Sequence, residues 1–163
     1  MSSEGFPPNG GDNGEMAGAR MQILAQYVKD LSFENPGAPL SQNFRPAIDL
    51  GVDLQARRRE ADQYELELRL RVSAKHEDKP VFLLELSYGA IVFVQGVPED
   101  VLSQILLIEA PFMLFPFARR VVADTVRDGG MPPLMIEPID FAALYRAKAA
   151  EQQQQFVNPT AQA

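Results

Sequence analysis

Four separate stretches of two-residue alternation, all in the first 95 positions, constrain this chain more than any other feature. From Ile23 to Glu34 the odd positions carry Ile23, Ala25, Tyr27, Leu31 and Phe33, interrupted by Lys29, against Gln26, Asp30, Ser32 and Glu34. Ile48, Leu50, Val52 and Leu54 alternate with Asp49, Gly51, Asp53 and Gln55, and Tyr64, Leu66, Leu68, Leu70 and Val72 with Glu65, Glu67, Arg69 and Arg71. Phe82, Leu84, Leu86 and Tyr88 oppose Val81, Leu83, Glu85 and Ser87. A period of two sends successive side chains to opposite faces of a strand. The pattern therefore predicts half-buried strands over 23–34, 48–55, 64–72 and 81–88, the last continuing past Gly89 into Ile91-Val92-Phe93-Val94. Asn35-Pro36-Gly37-Ala38-Pro39 forces a loop after the first, and Arg57-Arg58-Arg59 reads as a solvated turn after the second.

Beyond Gly96 the spacing becomes helical. Pro98, Glu99 and Asp100 suit a first turn, and Val101, Leu102, Ile105, Leu106 and Ile108 follow on one face. Pro111 is expected to interrupt this helix. A second is expected over 115–128, stopped by Gly129-Gly130. Met131 to Ile136 reads as an extended linker, and Asp140 as the cap of a last helix carrying Phe141, Leu144 and Tyr145. Strands followed by helices give an α+β domain, a four-stranded antiparallel sheet with helices packed on one face.

The chain has 163 residues, 46% of them hydrophobic, enough for one domain with an ordinary core. Residues 1–19, rich in Gly, Pro, Asn and acids, read as a disordered N-terminal tail, 20–151 as the folded domain, and 152–163, opening on Gln152 to Gln155, as a flexible C-terminal tail. No cysteine is present, which excludes disulfides and thiolate chemistry and fits a reducing cytoplasm. A leader or a membrane span is not expected, since no basic region precedes an apolar run and no stretch approaches about 18 apolar residues.

Catalysis finds little support. His76, the one histidine, sits among Lys75, Glu77, Asp78 and Lys79 at a hairpin turn, and no serine has a nucleophile context. Gly10-Gly11-Asp12-Asn13-Gly14 follows no strand, so it builds no phosphate cradle. Glu65 and Glu67, two apart on an exposed strand face, project into water where nothing separates their pKa values. No metal site or cofactor is implied. The net charge of −7 disfavours nucleic acid and anionic membranes. Glu4, Asp12, Glu15 and Glu151 lie outside Arg20–Ala150, whose net charge is only −3. Within that body the polar strand faces carry Asp30, Glu34, Asp49, Asp53, Glu65, Glu67 and Glu85 against Arg69 and Arg71, an acidic platform for a basic partner with Leu83 as an apolar contact. Phe112-Met113-Leu114-Phe115, the 131–136 linker and Phe44 add apolar side chains on irregular segments. Methionine and phenylalanine there suit a groove for varied apolar peptides.

Three segments resemble the bacterial protein-export chaperone SecB family: Tyr27 to Pro39 (YVKDLSFENPGAP), Leu114 to Arg119 (LFPFAR) and Pro138 to Tyr145 (PIDFAALY). The likeness covers most of 20–148 and leaves both tails outside. It implies a homotetramer, a dimer of dimers whose long helices lie between two eight-stranded sheets, with no cofactor and no enzymatic activity. It also implies that the motor ATPase SecA docks on the acidic face through Asp30, Glu34, Leu83 and Glu85. Unfolded precursors would bind a groove holding Phe44, Phe112, Met113, Phe115 and Met135. Such a protein holds precursors without ATP and delivers them to SecA. The alternative within the family is a general or toxin-associated holdase without an export partner. A small-ligand-binding domain of the same shape is the competing expectation from another class.

Overall fold

A computed structural model describes residues 18–37 and 45–157, with side chains to 154. Strands β1 (Arg20–Glu34), β2 (Ala47–Glu60), β3 (Gln63–His76) and β4 (Lys79–Gln95) form one antiparallel sheet in the order β1-β4-β3-β2. Helices follow: α1 (Glu99–Gln104), a π-helical turn (Ile105–Glu109) and α2 (Ala110–Asp128) run on as one long helix, and α3 (Phe141–Val157) closes the chain. The α+β architecture is the one the alternation predicts.

Hydrophobic periodicity fixes which sheet face is covered. Leu66, Leu68, Leu70, Val72 and Ala74 of β3, with Phe82, Leu84, Leu86, Ala90 and Val92 of β4, are buried under Leu114, Ala118, Val122 and Val126 of the long helix. The helix thus spends one apolar stripe on the core. Its opposite side leaves Phe112, Met113 and Phe117 exposed at 67%, 51% and 49%. By length and composition alone the helix Glu99–Asp128 could cross a membrane, which departs from the expectation that no such stretch exists, but one side of it is buried against the sheet.

Three local expectations are corrected. Pro111 does not break the helix. A proline has no N–H to return to the carbonyl four residues back; here bonding widens beforehand to the i−5 pattern, Ala110 N–H donating to the Ile105 carbonyl, and Pro111 falls in the first turn of α2. The Arg57-Arg58-Arg59 run is strand rather than turn. It belongs to β2, and the reversal comes at Ala61-Asp62, with Asp62 at φ 61°. The C-terminal helix extends through Gln152–Gln155 to Val157, past the boundary expected at Glu151. The rest of the two expected tails, 1–17 and 158–163, lies outside the described residues.

Other signals act as read. Ala143 N–H donates to Asp140 Oδ1 at 2.9 Å, capping α3. At the end of the long helix Gly130 takes φ 86°, with Gly130 N–H bonded to the Arg127 carbonyl and Met131 N–H to that of Val126. This is the Schellman arrangement a glycine permits. The neighbouring Gly129 is set by packing, because a Cβ there would lie 2.6 Å from the Phe33 ring, and its carbonyl accepts from Asn35 Nδ2 at 3.0 Å. The end of β1 is thereby tied to the end of the helix.

Candidate functional site

The helix-free face of the sheet is ordered as rows running from β1 across β4 and β3 to β2. Cross-strand register gives Glu34–Leu83–Ser73–Asp49, then Ser32–Glu85–Arg71–Gly51, then Asp30–Ser87–Arg69–Asp53, and finally Tyr27–Gly89–Glu67–Gln55. Asp30, Glu34, Leu83 and Glu85 therefore share one face and meet on the β1/β4 half. Asp30 and Glu34 are exposed; Leu83 and Glu85 are partly so.

Strand β1 reaches this arrangement by a route its alternation conceals. Register shifts at Leu24 and Lys29 flip its parity twice. A bulge inserts one unpaired residue and so turns every later side chain to the other face. Ile23 pairs with Val92 on the helix side, but Ala25 and Tyr27 sit opposite Ile91 and Gly89 on the open face, and Leu31 and Phe33 return to the helix side opposite Leu86 and Leu84. Tyr27, expected in the core, is thus an open-face residue. Its ring lies over Gly89, where a Cβ would come within 2.5 Å of it.

The bulge at Lys29 also brings a cation into the acidic face. Its Nζ bonds Glu65 Oε1 at 2.9 Å and Glu67 Oε2 at 3.0 Å. Arg57 also donates to Glu65, and Tyr27 Oη donates to Glu65 Oε2 at 2.9 Å. Glu67 further accepts from Arg69 Nε at 2.7 Å and Ser87 Oγ at 2.6 Å. The expectation that these two glutamates project into water is therefore corrected: Glu67 is only 6% exposed, roofed by residues from three strands. Lys29, then Arg57 and Tyr27, hold the Glu65 carboxyl down to about 2. Burial pushes Glu67 upward, but Ser87, Arg69 and Lys29 outweigh it and hold it too at about 2. Neither can serve as a protonated acid near neutral pH.

A pH dependence of stability follows from these depressed values. A carboxylate whose folded pKa lies below its unfolded one stabilises the fold above the unfolded pKa, near 4.5, and loses that contribution as pH falls toward the folded pKa. Denaturant titrations should accordingly show a stability plateau above about pH 5.5 and a decline between about pH 5 and 2. Glu67→Gln should flatten the decline while lowering the plateau by about 1–3 kcal/mol.

These pairs change what the platform offers a partner. Beyond the expected Arg69 and Arg71, Lys29 and Arg57 also stand on this face, and with Arg69 they neutralise Glu65 and Glu67. Asp53 bonds Lys148 Nζ at 2.8 Å, which draws its carboxyl pKa down, and Glu85 pairs with Arg71 at 2.8 Å. Asp30, Glu34 and Asp49 have no ion pair within the described residues. Free negative charge is consequently concentrated near Leu83.

The expected peptide-groove residues that the structure describes differ in exposure. Phe112, Met113 and Met135 are exposed. Phe115 is 5% exposed, edge-on to Phe141 at 6.3 Å between ring centroids, with the Arg119 guanidinium 5.7 Å over its ring. That side chain is core, which corrects its assignment to a lining. Phe44 lies outside the described residues. Sequence reading missed Phe117, which stands one turn beyond Met113 on the exposed side; its i+4 spacing was the available signal. Among the described residues no cluster of three or more metal-ligating side chains occurs.

Comparisons with known proteins give the family and the fold. The family model described as preprotein translocase subunit SecB matches residues 14–153. The protein-export protein SecB of Maricaulis maris is 47% identical over 150 residues, 89% of this chain and 86% of the relative. That of Paracoccus denitrificans is 48% identical over 90% of this chain and 86% of its own length, and that of Granulibacter bethesdensis 43% identical over 96% and 98%. Among solved structures, a SecB-like chaperone of Mycobacterium tuberculosis in complex with a peptide from the HigA1 antitoxin superposes with a TM-score of 0.65, covering 74% of this chain and 91% of that one at 18% identity, a likeness of fold. With the family model spanning most of its length and relatives approaching half identity, this chain belongs to the SecB family.

Proposed function

We propose that this protein is an ATP-independent cytoplasmic chaperone that holds unfolded precursors in an export-competent state and passes them to SecA. The observation that carries the docking half of this reading is the co-location of Asp30, Glu34, Leu83 and Glu85 on the open sheet face, two of the acids having no ion pair among the described residues. A basic partner would meet unpaired carboxylates around one apolar contact, an arrangement that favours fast, oriented encounter.

Holding requires apolar surface in quantity, and the single chain leaves it open. Leu24, Val28 and Leu31 are exposed along β1, an edge of the sheet, and Phe112, Met113 and Phe117 along the long helix. An unpaired apolar edge strand favours pairing with a second copy, which would join two sheets of four strands into one of eight. The helix face would then serve the contact between dimers, so that several client segments bind one tetramer and gain by multivalency. Met135, with the neighbouring helix residues, contributes to the client surface. The mechanism is mass action: binding the unfolded chain and not the folded one shifts the folding equilibrium without nucleotide.

Calorimetric titration of a denatured precursor into the protein, with no nucleotide, is expected to give saturable binding, and the folded form of the same precursor none. Equal binding of both forms, or of neither, would contradict the proposal.

A further inference from the structure

We infer that Arg71 is an internal competitor for the docking carboxylate Glu85, and so sets how tightly and how selectively a basic partner binds this face. The inference rests on the proposed docking of SecA at Asp30, Glu34, Leu83 and Glu85. Of those three acids Glu85 alone has an ion pair among the described residues, its Oε1 lying 2.8 Å from Arg71 Nη1. The two residues are direct cross-strand neighbours on β4 and β3, and both side chains are open to water, Arg71 at 66% and Glu85 at 45%. An exposed pair of this kind is weak and exchangeable. A partner's lysine or arginine must displace Arg71 or share Glu85 with it, and either way gains less than from a free carboxylate.

Gly51 is what commits Arg71 to that role. On its other side Arg71 faces Gly51 of β2, which has no side chain to offer, so its only direct cross-strand acid is Glu85. A side chain at 51 has room, since a Cβ there would stand 3.7 Å from Arg71 Cβ, an ordinary contact. Gly51→Glu would therefore give Arg71 an alternative acid and release Glu85 without repacking the sheet.

The test is SecA affinity at low salt for wild type, Arg71→Gln, Gly51→Glu, Glu85→Gln and the double variant Arg71→Gln/Glu85→Gln, with Arg58→Gln as a control for net charge. Arg58 lies opposite Tyr64, away from this row. Removing the competitor should tighten binding about two- to fivefold, the range an exposed ion pair spans. Gly51→Glu should act in the same direction, Arg58→Gln should give no comparable gain, and the gain should vanish in the Glu85→Gln background. Unchanged or weaker binding by Arg71→Gln, or a gain that persists without Glu85, would overturn the inference while leaving docking at the acidic face intact. SecA binding indifferent to Asp30→Lys and Glu34→Lys would instead overturn the docking reading and this inference with it.

Discussion

Replacing Asp30 and Glu34 together by lysine is expected to weaken SecA binding on the order of a hundredfold at low salt, with client holding unchanged. Both side chains are exposed on the open face, and neither has an ion pair among the described residues, so the substitutions should leave folding intact. Each reversal replaces an attraction by a like-charge contact. Juxtaposed like charges cost several kcal/mol in all, and about 2.7 kcal/mol corresponds to a hundredfold. The loss should fall mainly on the association rate and shrink as salt rises, because exposed charges are screened over about 8–10 Å near physiological ionic strength. If SecA binding survives the reversal while clients are still held, the protein is a holdase without this export contact, the alternative within its family.

The second large effect concerns assembly. Phe112→Glu combined with Phe117→Glu is expected to drop the light-scattering mass from that of a tetramer to that of a dimer. The two rings stand 67% and 49% exposed in the single chain, a cost that burial against another subunit would offset. Aromatic anchors in such contacts typically contribute 2 kcal/mol or more each, and a buried carboxylate replaces that gain with a penalty. Circular dichroism should remain that of wild type, since neither side chain enters the core. A mass that stays tetrameric would move these residues from the assembly contact to the client surface alone.

How much of this was legible in the sequence depends on the element. Strands β2, β3 and β4 declare themselves because their register shifts, at Arg58/Glu60 and Ala74/Lys75, fall at strand ends and leave one parity through the alternating segments, so Leu83 and Glu85 could be placed on the open face by counting. Strand β1 does not, because two bulges flip its parity and no residue type marks them. Asp30 and Glu34 came out on the correct face because both bulges precede them; Tyr27, lying between the bulges, came out on the wrong one. The same bulge hides Lys29, and with it the neutralisation of Glu65 and Glu67. Pro111 misled for a different reason: a π-helical turn absorbs the missing donor, and nothing local in the sequence distinguishes a proline that is absorbed from one that breaks a helix. Phe115 stood among exposed neighbours in the chain, but a turn of helix separates inside from outside over one residue, and it faces Phe141.

Holding of an unfolded chain is measured most directly by the refolding rate of a denatured precursor, followed with the purified protein and without ATP. Refolding should slow with increasing protein and stop once chaperone exceeds precursor. It should resume on dilution or when a competing unfolded chain is added. Refolding at the same rate with and without the protein, from a sample whose scattering mass is that of a single chain, would contradict the chaperone reading outright.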